Sequence, residues 1–314
     1  MTVIAANDQA SLSVVMVNWN TAPLLPECLA SVAAAIGERS MQVIVVDNGS
    51  TDGSVDFLRR NHPDVQVVAN DVNAGYQAAC NQGSALATGD VLLHINTDAR
   101  LLPGALDRLL TSLADDPTIG VVAPRLQYDD GTFQRWTAGR LPSLRSLSAS
   151  FLFGDRLAPD AGLWIRDDVT EPRDVEWVSS ACLVVRRSVF EQVGGLDERF
   201  FAYMDDVDLC QGAAQAGYRV RYEPRADAVH LMGGSQAARA GGASPMAIDA
   251  MVRWFRLHRS APEAVAAASI MALGFALRAG AHLAGDAVRG RGLASTRASL
   301  SAANHALRAM RSSS

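Results

Sequence analysis

Two acidic stations hold most of the chemistry this sequence offers. The first is Asn96, Thr97 and Asp98, placed directly after the apolar run 91–95, so its carboxylate emerges from the end of a buried strand. The second is Asp205, Asp206, Val207 and Asp208, approached through Leu196, Phe200, Phe201, Tyr203 and Met204. Carboxylates set against apolar surface have raised pKa values and are poised to take protons. One carboxylate steadying a metal-bound diphosphate and another taking a proton from an incoming hydroxyl are the two parts a sugar-transfer site needs. Three acids in four residues otherwise belong on a solvated face. Asp208 has a second reading, as cap of a helix beginning near Leu209, which leaves Asp206 and Asp205 as base candidates.

Other stations are weaker alone. Asp98 with diphosphate oxygens and water is enough for Mg²⁺, which takes few protein ligands; Mn²⁺ accepts histidine more readily. His230 ends a short apolar run and precedes Gly233, Gly234 and Ser235. It reads as a hydrogen-bonded core residue or as a ligand beside a close-approaching backbone. Asp47, before Asn48, Gly49, Ser50, Thr51 and Asp52, is either a turn and helix cap or a contact to a base or ribose. Trp19 is either core or a surface against a base. Asn73, Ala74, Gly75 and Tyr76, followed by Asn81, resemble an anion-cradling turn at a helix start. No Gly-Lys-Ser/Thr and no G-x-G-x-x-G is present there, which argues against a P-loop or a dinucleotide fold.

The elements that must position these residues alternate. Strands are expected at 12–17, 41–46, 65–68 and 91–95, with helices at 23–36, 54–60, 75–87 and 103–114 between and after them. Such alternation predicts an α/β fold with a mostly parallel sheet and helices on both faces, ligands binding at the carboxyl ends of the strands. Asp47, Asn73 to Gly75 and Asp98 all fall there. Residues 128–173 read as loops and short elements of an acceptor-side region. A strand is expected at 177–185, a helix at 188–193, a helix at 209–216, and two strands at 218–222 and 228–230. Residues 236–244 read as disordered or ligand-ordered, and from Pro245 onward the chain reads as Ala- and Arg-rich helix.

The chain has 314 residues, 49% of them hydrophobic, enough for one large α/β domain with an appendage. Its net charge of -5 excludes a general nucleic-acid binder. Every basic residue is Arg. From Val252 onward nine arginines oppose only Glu263 and Asp286, a local net of +7, which leaves -12 on the preceding body. A basic tail on an acidic body points to an anionic surface, with phospholipid the simplest. The four cysteines form no CxxC pair and read as buried thiols in a reducing compartment. Residues 1–10 have no signal-peptide pattern. The most apolar stretch, 264–277, falls short of the roughly 20 residues of a bilayer span before Arg278 interrupts it. A cytoplasmic protein is expected, resting on the inner face of the membrane.

Together these motifs, in this order over about 12–235, resemble the family 2 glycosyltransferases of GT-A fold, most of all bacterial rhamnosyltransferases that extend lipid-linked cell-wall or polysaccharide precursors. The resemblance implies a GT-A domain over 1–244, with a nucleotide-sugar half at 1–125 and an acceptor and catalytic-base half at 126–244. Residues 245–314 would then be a basic helical tail for a membrane surface or an oligomer contact. It implies that Val17, Trp19 and Asp47 meet the nucleobase and ribose, that Gly75, Asn81 and Asn96 line the diphosphate and sugar, and that Asp98 and His230 hold a divalent metal, Mg²⁺ or Mn²⁺. Asp206 would be the base, with Asp205 standing where Glu is usual. The implied reaction is an inverting transfer from a nucleotide sugar, dTDP-rhamnose being favoured, to a glycan or polyprenyl-linked acceptor. A UDP-hexose donor, or a silent glycan-binding scaffold, is the alternative. Gly212 stands where the family often has Arg.

Overall fold

The computed structural model describes residues 11–37, 39, 41–154, 158, 161–231, 244–289 and 293–310. The Gly233, Gly234 and Ser235 motif, nearly all of 236–244, and Arg291 lie outside them.

The chain opens with β1 (Leu12–Asn18), α1 (Leu25–Ile36), β2 (Met41–Asp47), α2 (Ser54–Asn61), β3 (Gln66–Ala69), α3 (Tyr76–Ala85) and β4 (Val91–Ile95). Strands 1 to 4 pair in parallel in the order β3-β2-β1-β4. Apolar residues run continuously along β1 because both faces are covered. Val14 and Met16 enter a core with Leu25, Leu29 and Leu58, whereas Val15 enters the opposite core with Ala79 and Cys80. Then come β5 (Ala99–Leu101), α4 (Ala105–Asp115) and β6 (Ile119–Gln127). Leu106, Leu109 and Leu113 form the buried stripe of α4.

The middle of the chain departs from expectation. Within 128–173 lie a 3-10 turn (Arg135–Thr137), β7 (Ala138–Gly139) and α5 (Leu144–Phe151), the last begun by a capping box between Ser143 and Ser146. Next come β8 (Arg173–Val175), β9 (Trp177–Val178) and β10 (Cys182–Arg186), so the single strand expected at 177–185 is two. The break is at Ser179 to Ala181, where Ser179 N–H donates to Thr137 O and Ala181 O accepts from Asn96 N–H. After α6 (Arg187–Gln192), α7 (Asp205–Gln215) starts earlier than expected, so Asp208 is in its first turn and does not cap it. β11 (Arg219–His230) is one strand where two were expected, irregular between Glu223 and Asp227 around Pro224. The main sheet continues β4-β10-β6-β11-β5, with β8 beside β11 and β10 antiparallel to both its neighbours.

Three helices close the structure: α8 (Pro245–His258), α9 (Ala261–Arg289) and α10 (Ala294–Ala309). Trp254 and Phe255 are fully buried, and Met271 and Phe275 lie in the core that also holds Trp177, Val178 and Phe200. Met271 and Phe275 therefore complete the protein's own core and are not free to meet a membrane surface. Arg253, Arg256 and Arg278 donate to the carbonyls of Arg199, Ala309, and Ser150 with Phe151. Ala261–Ala284 is long and apolar enough by composition to cross a membrane, although 44% of its most apolar window is buried inside the fold. Leu273, Leu277 and Leu283 face outward.

Candidate active site

Both acidic stations lie at the edge of the sheet where β1, β2 and β4 end. After β4 the chain turns into β5, which pairs with the end of β11 so that His230 lies opposite Ala99. That register brings His230 Nε2 to 3.4 Å from Asp98 Oδ1. The other ring nitrogen, Nδ1, is 3.0 Å from Gln134 Oε1. Gln134 is buried, and its amide nitrogen donates to the His230 carbonyl, which can only accept. This orients the amide and obliges Nδ1 to carry a proton, so that in the neutral tautomer the lone pair is on Nε2, facing the carboxylate. A lone pair and an anion so placed suit a cation between them. Among the described residues no group of three or more metal-ligating side chains occurs. Asp98 and His230 thus fit a hard divalent ion that takes its remaining ligands from a diphosphate and water.

The second station reaches the first through the break between β9 and β10. Ala181 O accepts from Asn96 N–H at 3.0 Å, and the adjacent Ser180 lies beside the Asp205 and Asp206 carboxyls and pulls both downward against burial. Tyr203 and Met204 are both left-handed, with φ of 66° and 64°, a strained approach that sets both acids in the first turn of α7. Asp205 is only 4% exposed, with one oxygen unpartnered by the described protein, whereas Asp206 is half-buried. Of the two, Asp206 is open to an acceptor and Asp205 is a buried neighbour. Burial first, and the charge of Asp205 second, push the Asp206 carboxyl up to about 8. Burial also raises Asp205. It raises Asp208 too, against the pull of His258, whose Nε2 is 2.7 Å from Asp208 Oδ1.

The remaining candidates divide. Trp19 is 55% exposed at the end of β1, which overturns its reading as core. Val17 is half-buried nearby. Asp47 is buried, its oxygens accepting from Asn18 Nδ2 at 2.6 Å and Ser50 N–H at 2.9 Å. These bonds shape the turn beside Trp19. Gly75 is packed under Phe201, and the N–H groups of Ala74, Gly75 and Tyr76 donate to Asn48 Oδ1, Asn73 Oδ1 and Phe201 O. The expected anion cradle is therefore corrected: these donors are already taken. Asn81 is likewise committed, exchanging two 2.8 Å bonds with Leu196 and reaching Glu198. It clamps the loop leading to the second station. The Asn96 side chain is half-buried at the end of β4.

Residues 13–194 match the family described as Glycosyl transferase family 2. The chain is 35% identical over 240 residues to the N-acetylglucosaminyl-diphospho-decaprenol L-rhamnosyltransferase of Mycobacterium tuberculosis, covering 70% of this chain and 75% of that one. This chain belongs to glycosyltransferase family 2. Rhamnosyltransferase WbbL of Escherichia coli K12 matches the transferase over a shorter stretch, 30% identical over 95 residues, with 30% of this chain and 34% of WbbL covered. In fold the transferase is similar to the mannosyltransferase PcManGT of Pyrobaculum calidifontis, solved with GDP-Man and Mn²⁺ (TM-score 0.58, 20% identity, 96% and 86% covered). It is also similar to GalNAc-T7, solved with UDP, GalNAc and Mn²⁺ (TM-score 0.57, 17% identity, 80% and 48% covered). These neighbours show a GT-A fold.

Two residues of the transferase escaped the sequence reading. Gln134 sits in an aperiodic stretch where only its burial distinguishes it. Ser180 had a signal, since Ser179 and Ser180 interrupt an otherwise apolar run.

Proposed function

We propose that this transferase moves L-rhamnose from dTDP-rhamnose, with inversion, to a hydroxyl of a polyprenyl-linked glycan acceptor, assisted by a divalent metal. The observation that carries the reading is the juxtaposition at Ser180 and Ala181, which ties the base candidate Asp206 to the end of β4 that presents Asp98. The relative named for a diphospho-decaprenol substrate and L-rhamnose transfer supports the donor sugar and acceptor class.

Asp206 accepts the proton of the acceptor hydroxyl as that oxygen bonds to the anomeric carbon, while the bond from that carbon to the diphosphate breaks and its electrons leave with the nucleotide. Bound at Asp98 and His230, Mg²⁺ or Mn²⁺ supplies Lewis-acid stabilisation of the departing diphosphate. Gln134 holds His230 in the tautomer that offers Nε2. Trp19 supplies an exposed aromatic face for the base, on a turn ordered by Asp47. Outward Leu273, Leu277 and Leu283 on α9, with Leu300, Arg297, Leu307 and Arg308 on α10, support a cytoplasmic enzyme resting on an anionic inner membrane face.

The test is a thermal-shift panel of nucleoside diphosphates with and without Mn²⁺, since a ligand that binds the native state raises Tm. Stabilisation by dTDP above UDP is expected. Preference for UDP would replace the donor with a UDP-hexose, and indifference to every nucleotide would leave a scaffold.

A further inference from the structure

A cavity of about 760 Å³ lies away from the acidic stations, lined by Arg140, Ser143, Arg145, Glu176 and Arg259 among others. Its three arginines come from three separate segments: the end of β7, the first turn of α5 and the end of α8. None makes an ion pair with a carboxylate among the described residues; Arg259 only lies over the Trp254 ring, 5.7 Å from its centroid. Glu176, the one acid among the described residues of the lining, already accepts from Leu141 N–H at 2.6 Å. Among its described lining residues three guanidinium groups stand against one carboxylate, a net of +2. The start of α5 adds its dipole, since Ser143 and Ser146 form the wall there. What sets these three apart from other unpaired surface arginines, such as Arg59 and Arg108, is that they line one concavity.

Converging like charges without counter-charges cost free energy unless an anion joins them, and guanidinium groups match phosphate oxygens in geometry. We infer that this cavity is a second phosphate-ester site, built for a diphosphate other than the donor's. Two short paths join it to the catalytic end. Glu176 is four residues from Ser180, through β9 and the turn that follows it, a span of at most about 13 Å. Arg259 follows His258, which contacts Asp208 in the first turn of α7. A sugar ring bearing a diphosphate bridges such a span, with its hydroxyl toward Asp206 and its charge among the arginines. Assigning the diphosphate to the acceptor rests on the lipid-linked acceptor proposed above; the anion site itself does not.

The experiment is calorimetric titration of inorganic pyrophosphate into the full chain in metal-free buffer with saturating dTDP. Binding is expected, weakened about tenfold or more in the R140A/R145A double variant, unchanged in Asp98→Asn, and strengthened in Glu176→Gln. Arg140, Arg145 and Glu176 are exposed and Asp98 is mostly buried, and an unchanged Tm verifies that each variant is folded. Flotation with phosphatidylcholine vesicles, with and without phosphatidylglycerol, separates a headgroup from a soluble diphosphate. Pyrophosphate binding that survives R140A/R145A overturns the proposal. So does a double variant that loses only phosphatidylglycerol vesicles. A wild-type chain that dTDP fails to stabilise would sink the donor assignment yet leave the pyrophosphate result readable.

Discussion

At the scale of single residues, Asp206 ties reactivity to instability. A carboxyl raised to about 8 by burial and by Asp205 is protonated in the native state at pH values where the unfolded chain has lost its proton. The native state therefore binds more protons between about pH 4 and 8, and stability falls as pH rises through that window. Asp206→Asn should melt above wild type at pH 8, with the gap closing toward pH 4. The same change should lower kcat by about 10²–10⁴-fold while leaving the dTDP-induced shift in Tm intact. In the wild type, kcat/KM should rise with pH up to about 8 and then level. A flat profile from pH 5 to 9 would remove Asp206 from the role of base. Gln134→Leu should weaken Mn²⁺ binding by about 10–100-fold, measured by titration of the free enzyme, and lose the Nδ1–H pattern of His230 in nitrogen-15 spectra. These acids were legible because their types and spacing are chemical. Of the partners beside them, Ser180 shows only as a polar break in an apolar run and Gln134 not at all, since a lone Gln carries no period and takes its role only when β5, β7 and β11 converge.

At the scale of elements, the loop from Gly194 to Met204 and the turn before α3 form one unit. Gly75, at φ 93°, has no room for a Cβ, which would lie 2.8 Å from Phe201 O. Gly75→Ala should displace Phe201, break its bond to Tyr76 N–H and cost about 1–3 kcal/mol, read by denaturant melts, with a fall in kcat because the displaced loop delivers Asp206. Asn81→Leu should act alike, since it strands both backbone groups of Leu196. Periodicity located nearly every helix and strand of the first half within a few residues. It failed at 177–185 and 218–230, where apolar runs look alike whether a strand is straight, broken or bulged. The distinction there is made by hydrogen bonds from Thr137, Asn96 and β6, far away along the chain.

At the scale of the whole molecule, the basic tail is also part of the core: Trp254 and Phe255 are the largest buried side chains of α8 and pack in the core on one face of the sheet. Trp254→Ala should cost about 3–5 kcal/mol, and a chain ending before α8 should be recovered as aggregate, assayed by sedimentation after expression. The sheet itself is laced in a comparable way, because β10 runs antiparallel between β4 of the first half and β6. Cutting the protein near residue 125 would leave β4 with a bare hydrogen-bonding edge. Engineers who wish to graft a different donor preference onto this scaffold cannot exchange the leading half as a cassette. They must carry the five-residue splint Cys182–Arg186 along with it, or redesign the seam on both of its sides.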